Sequence, residues 1–272
     1  MKKIIYVIVI CLAFSGIFAF AGCGGQKGQK NNGKLIAAME LAYPPFETKD
    51  SDGAPAGISV DFSKAFGEYM GVEVEIVNTA WDGLIPSLTT GKADFVISSM
   101  TITEKRKEEV DFSDPYANAL LAILANINSD INSIDDLNQP GKKVAVKTGS
   151  TGYFYAQDNL VNAEIIALAD ESACVTEVSQ GKADGFLYDQ LTIYRNNQNN
   201  PDTTKAVFIP FQNVEYWGVA VKKGNAELLG NLNAFIAEYT AKGGFDELTE
   251  KYLLEEKKAF EELGFKWFFD LD

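Results

Sequence analysis

The chain has 272 residues, 46% of them apolar, with 38 acidic against 24 basic side chains and no histidine, for a formal charge of −14. That charge argues against a nucleic-acid partner and against lying flat on an anionic membrane. Without histidine the Ser-His-Asp and Cys-His nucleophile systems and the usual zinc ligand sets are excluded, which leaves enzyme chemistry only carboxylates, Lys and Tyr.

At the amino end Lys2 and Lys3 precede an apolar run from Ile4 to Phe20, followed by Ala21, Gly22 and Cys23. The run is short for a membrane span and has small residues behind it where a stop-transfer segment has charges, so it reads as a signal peptide over residues 1–22. The sequence FAGC resembles a lipoprotein processing box, with Phe20 where that pattern usually has Leu, and predicts cleavage before Cys23 with a lipid on its thiol. Residues 23–33 then form a lipid-anchored linker rich in Gly, Gln, Lys and Asn, whose ten residues after Cys23 span roughly 17–19 Å as a flexible chain. Cys11 falls in the leader and Cys23 at the processing site, so Cys174 has no partner for a disulfide and is expected in the core.

The body of about 240 residues suffices for two domains of ordinary size. Lys34 to Met39 reads as a strand, and a loop carrying YPPF (Tyr43 to Phe46) and KDSDGAPAG follows, extended by its prolines. Ile58 to Met70 has apolar residues at helical spacing and stops at Gly71; Val72 to Val77 alternates as a strand; a second helix near Leu84 to Thr90 stops at Gly91. The order β-α-β-α-β predicts a parallel or mixed sheet covered by helices.

Ala93 to Ile97 forms the next strand and runs into SSMTITEKR, Ser98 to Arg106, in which Thr103 stands three residues before Arg106 as a helix cap. Hydroxyls, backbone N–H groups and a guanidinium meet there at one strand end. They suit a small molecule with both a carboxylate and an ammonium, because Arg grips carboxylate in a fork and hydroxyls accept from NH₃⁺. A capped helix with a surface Arg is the plainer reading of this stretch taken alone.

GKAD occurs at Gly91 to Asp94 and again at Gly181 to Asp184, each time between a helix and a strand. Two similar units would each aim a polar group from a strand's carboxyl end, Ser98 and Ser99 in one and Asp189 in the other. Between them lie VDFSDPY, the apolar Ala119 to Ala125, a cap at Ser133, the strand Lys143 to Val146 and the loop TGSTGY. That loop opens a helix near Thr151, where free N–H groups favour an anion. After Asp189 a polar turn NNQNNPD, a strand near Phe208 and another from Tyr216 to Val221 are expected, then helices through Phe235 and Leu248. The tail from Glu255 carries Phe260, Phe265, Trp267, Phe268 and Phe269 and reads as a strap buried on the body, with an exposed docking surface as the alternative.

Taken in order, YPPF, WDGLIPSLTTGKAD, SSMTITEKR, VDFSDPY, the glycine-hydroxyl loop and GKADGFLYD resemble the extracytoplasmic solute-binding proteins of polar amino-acid ABC transporters (bacterial family 3 type), over about Lys34 to Leu254. The resemblance implies an α/β, two-lobed periplasmic-binding-protein fold of type II, each lobe a mixed sheet flanked by helices. Residues 34–117 and 218–272 would form lobe 1 and residues 118–217 lobe 2, with hinge crossings near Ala117 to Leu121 and Asn213 to Gly218. Carried over by position, it implies that Arg106 and Thr151 hold a ligand's α-carboxylate and that Asp189, with Ser99 and Thr101, holds its α-ammonium. Ser98 falls in the same shell, Tyr43 and Trp81 against the ligand side chain, and Glu40 where the family often has an acid.

The resulting expectation is a non-enzymatic, monomeric receptor without cofactor or metal, lipid-anchored to the cell membrane. It would close on one free L-amino acid and deliver it to an ABC-transporter permease. Arginine or lysine is favoured because Glu40 offers a charge and Tyr43 and Trp81 offer faces that attract a cation, and glutamine is second. The rivals are a dehydratase of the same fold acting on ring-bearing carboxylic acids, and a signalling sensor. An intact Asp189 and no poised acid or base beyond Glu40 argue against the dehydratase.

Overall fold

The computed structural model describes residues 33–271. The expected leader, Cys23 and the linker through residue 32 lie outside the described residues.

Two five-stranded sheets organise the chain. In the first, the strands run Glu73–Asn78, Lys34–Met39, Phe95–Val96, Ala220–Lys222, Val110–Phe112 across the sheet. Lys34–Met39 pairs in parallel with Glu73–Asn78 and Phe95–Val96, and Ala220–Lys222 joins antiparallel. The second runs Glu164–Leu168, Lys143–Lys147, Gly185–Asp189, Leu121–Asn126, Thr204–Val207, with its first three strands parallel and the last two antiparallel. Both are therefore mixed sheets of the same plan. A separate antiparallel pair, Ala117–Ala119 with Glu215–Trp217, lies where the chain passes from one sheet to the other and back.

The GKAD repeat has one physical job in both halves. Gly91 and Gly181 take φ of 73° and 70°, which ends the helix before them. Asp94 then donates its N–H to the Ile36 carbonyl (2.8 Å) while its carboxylate accepts the Ile36 N–H (2.7 Å). Asp184 treats Lys143 identically, at 2.8 Å in both directions. Each aspartate thus pins the third strand of a β-α-β-α-β unit to the start of the first.

The core follows the amphipathic stripes. The helix Ile58–Met70 buries Phe62 and Phe66, and Gly71 at φ 66° closes it. Phe62 packs edge-on to Phe235 at 5.1 Å and Phe66 edge-on to Phe95 at 5.6 Å. Each such ring contributes about 1.5–3 kcal/mol through burial. The tail is a buried strap, as the sequence suggests: Phe260, Trp267 and Phe268 are buried and Phe268 stacks on Trp217. Cys174 is buried in the helix Glu171–Ser179, and burial pushes its thiol up to about 12. No described helix is long and apolar enough to cross a membrane.

Three local expectations fail. NNQNNPD is not all turn, because Asn196 to Asn199 close the helix Gln190–Asn199. Their amides bond to chain around them, Asn196 to the Thr192 carbonyl and Asn197 to the Thr204 carbonyl, so the side chains that usually break a helix here anchor it. The strand expected over Ala93 to Ile97 keeps only Phe95–Val96, since Asp94 spends its backbone and carboxylate on Ile36. The strand expected over Tyr216 to Val221 divides into Glu215–Trp217 and Ala220–Lys222 around Gly218, which packs so closely on Ile102 that a Cβ there would lie 2.9 Å from its Cδ1.

Candidate ligand-binding site

Beyond Phe95–Val96 the backbone turns sharply. Ser99 sits at φ 48°, a left-handed conformation that costs a non-glycine residue energy and tends to persist where function fixes it. Ser98 accepts the Glu40 N–H at 3.0 Å and donates to Glu47 at 3.3 Å, and Ser99 donates to Glu47 at 3.4 Å. Thr103 caps the four-residue helix Glu104–Lys107 by accepting the Arg106 N–H. The cap aims Arg106 inward, where only 8% of it is exposed. Its guanidinium donates to the Thr101 carbonyl at 2.6 Å and the Gly149 carbonyl at 3.1 Å, and lies 5.2 Å from the Trp81 ring centre. Burial lowers its pKa to about 10, so it stays charged at neutral pH.

Gly149 belongs to the strand-to-helix loop of the second sheet. There Ser150 caps the helix Thr151–Asn159, and Thr151 at its first position donates to Glu215 at 2.8 Å. Thr101 donates to the same Glu215 oxygen at 3.1 Å. Thr101 therefore stands with Thr151 and Arg106, not with Asp189. Asp189, 7% exposed, ends the strand Gly185–Asp189 and caps the next helix, accepting from the Leu191 and Thr192 N–H groups and the Thr192 hydroxyl at 3.0, 3.0 and 2.7 Å. Burial raises its pKa, and the Tyr43 hydroxyl, with these hydrogen bonds after it, opposes the rise. Tyr43 is buried beside it, edge-on to Tyr188 at 6.1 Å between ring centres, with its hydroxyl toward Asp189 and Thr192.

Glu40 is not a free carboxylate. Lys147, buried at the end of Lys143–Lys147, forms an ion pair with it, and the Trp81 N–H donates to the other Glu40 oxygen at 3.3 Å. The Lys147 ammonium also sits 5.3 Å from the Trp81 ring centre. The pair joins the two sheets, because Glu40 follows a strand of the first and Lys147 ends one of the second.

All nine residues singled out in the sequence (Glu40, Tyr43, Trp81, Ser98, Ser99, Thr101, Arg106, Thr151 and Asp189) line one cavity, together with Glu47, Leu121, Ser150, Tyr188, Glu215 and Trp217. Sequence reasoning missed Glu47, Glu215 and, beside the cavity, Lys147. Glu47 follows YPPF directly, and Lys147 ends a strand just before TGSTGY, so position gave a signal for both. Nothing local marks Glu215. The expectation that no acid beyond Glu40 is poised is also corrected. Burial raises Glu47, 1% exposed, to about 8, and burial with the Asp189 charge raises nearby Glu171 to about 7. No cluster of three or more carboxylates and thiols is placed to hold a metal among the described residues.

The profile of the bacterial extracellular solute-binding proteins, family 3, matches residues 35–255. A probable histidine-binding protein of Neisseria gonorrhoeae is 32% identical over 265 residues, covering 94% of this chain and 97% of that protein. The L-cystine-binding protein TcyJ of Escherichia coli (strain K12) is 31% identical over 246 residues, 90% of this chain and 91% of its own length. Among solved structures, an ancestral arginine-binding protein bound to glutamine aligns with a TM-score of 0.75 at 37% identity, over 82% of this chain and 99% of that one.

Proposed function

The chain belongs to the bacterial extracellular solute-binding proteins, family 3, and from that premise we propose that it binds one free polar amino acid between its two sheets and delivers it to an ABC-transporter permease. One observation carries this reading: a single cavity holds both a buried guanidinium, Arg106, and a buried carboxylate, Asp189, with hydroxyls beside each. Arg106, Thr101 and Thr151 would take the ligand carboxylate, and Asp189 with Ser99 its ammonium. Thr101 is assigned to the carboxylate group because its hydroxyl and that of Thr151 share one carboxylate oxygen here.

For the ligand side chain, the ion pair between Glu40 and Lys147 favours a neutral amide. A cationic side chain has to compete with Lys147 for Glu40. A glutamine amide meets both, its oxygen accepting from Lys147 and its NH₂ donating to Glu40. We therefore put glutamine first, with arginine and lysine second. Closure would turn on the strand pair Ala117–Ala119 and Glu215–Trp217, and the ligand would stabilise the closed form by touching both sides.

The protein acts as a binding protein and not an enzyme on this reading, with residues 34–117 and 218–272 as one lobe and 118–217 as the other. A lipid on Cys23 would hold it, as a monomer, at the outer face of the membrane. Thermal unfolding with each of the twenty amino acids, cystine and a ring-bearing carboxylic acid tests the function, because a tight ligand raises the midpoint through RT ln(1 + [L]/Kd). The reading expects an amino acid to give the largest shift, glutamine foremost; shifts from none of them overturn it. For the anchor, wild-type protein should fractionate with membranes and Cys23→Ser should not.

A further inference from the structure

Glu215 rises from the strand pair that links the sheets, and its carboxylate is held by side chains as a bound carboxylate ligand would be. One oxygen accepts from Thr101 (3.1 Å), reached from the first sheet, and from Thr151 (2.8 Å), which opens a helix behind the second. The other accepts from Gln212 Nε2 at 2.9 Å, and Arg106 lies close enough to attract it. Thr101, Thr151 and Arg106 are the residues that the amino-acid reading gives to a ligand carboxylate. The same hydroxyl protons cannot serve two carboxylates, and two anions side by side in a buried site repel.

The geometry points to Glu215 as a tethered carboxylate that fills the ligand-carboxylate subsite, joins the two sheets through Thr101 and Thr151, and is displaced when a free amino acid enters. This rests on the amino-acid reading for the identity of what displaces it. The consequence is an affinity set below what the pocket's own groups allow, because binding must first break the Thr101 and Thr151 hydrogen bonds to Glu215. A Glu215 that instead stayed in place and received a ligand cation would strengthen binding, which the titration below distinguishes.

Two arms test it. In calorimetric titration with the amino acid that most raises the wild-type unfolding midpoint, Glu215→Ala should bind about tenfold tighter than wild type, and Glu215→Gln should fall between them. In thermal unfolding without amino acid, acetate should raise the midpoint of Glu215→Ala and leave the wild type unmoved, because acetate refills the vacated donors. Equal or weaker amino-acid binding by both variants overturns the proposal, and so does acetate acting alike on wild type and variant. If no amino acid binds wild type or variants, the amino-acid reading fails, while the acetate arm still decides whether Glu215 fills a carboxylate site. Should Glu215→Ala not fold, Glu215→Gln carries the titration.

Discussion

Lys147 and Glu40 form an ion pair across the cleft, with side chains only 6% and 15% exposed, Lys147 ending a strand of the second sheet and Glu40 just following a strand of the first. Neither partner is easily rehydrated where it sits, so removing one leaves the other charge short of compensation. Lys147→Met should lower stability by on the order of 2–4 kcal/mol, and the double variant Glu40→Gln, Lys147→Met should recover most of that loss. Denaturant unfolding of the four proteins checks this; a double variant no better than the worse single one would mean that the two side chains do not act as a pair. Lys147→Met also frees Glu40 for a ligand, so its preference should move from glutamine toward arginine and lysine in competition titrations.

Arg106 spends two of its donors on the Thr101 and Gly149 carbonyls and lies against Trp81, which leaves the rest of its fork for a ligand. Loss of a buried charge partner costs on the order of 3–5 kcal/mol, so Arg106→Ala should weaken amino-acid binding by roughly a hundredfold to several thousandfold while the fold persists. Near-normal affinity by calorimetry, with unchanged circular dichroism, would remove Arg106 from the site.

Much of this was readable from sequence where the signal is local. Lys34–Met39 and Ile58–Met70 have the bounds that alternation, periodicity and the terminal Gly71 predict, Thr103 and Ser133 cap helices through their hydroxyls, and a helix opens at Thr151. The pocket residues follow strand ends, which sequence order locates. The pairings inside the pocket were not readable, because Lys147 reaches Glu40 over 107 positions and Thr101 reaches Glu215 over 114. A carboxylate read as a free ligand contact can be claimed by a cation that only the fold brings near. The asparagines after Tyr194 mislead for the same reason, since their amides find partners only once Thr204 is in place.

Glu47 sets a pH dependence. In the folded protein burial holds its pKa at about 8, against 4.5 ordinarily, and the hydroxyls of Ser59, Ser99 and Ser98 only partly offset this. The folded state therefore binds more protons than the unfolded chain between those values. Stability from this group is fully present below about pH 4.5 and is lost as pH rises through 8, with a slope of up to ~1.4 kcal/mol per pH unit. Glu171, raised to about 7, acts in the same direction. The wild-type midpoint without ligand should fall from pH 5 to pH 8, and Glu47→Gln, which is neutral throughout, should fall less. Parallel curves for the two proteins would mean that Glu47 is ionised in the fold.

The tail is fastened to the sheet connection by one side chain. Asn118, buried in Ala117–Ala119, donates its amide to the carbonyls of Trp267 (2.9 Å), Phe268 (3.0 Å) and Asp270 (3.1 Å), and its backbone N–H to Phe268 at 2.7 Å. Phe268 in turn stacks on Trp217 of the opposite strand, 5.8 Å between ring centres, and meets Phe46 edge-on at 5.9 Å. Asn118→Ala removes a donor shared by three carbonyls but leaves the rings packed. It should cost about 1–3 kcal/mol and open the last residues to a protease while the aromatic core holds. Asn118→Asp should cost more, because a carboxylate would face carbonyl oxygens with nothing to donate. Limited proteolysis with mass analysis, beside denaturant unfolding, reads both effects. A tail in Asn118→Ala as resistant as in wild type would show that ring packing alone holds the strap.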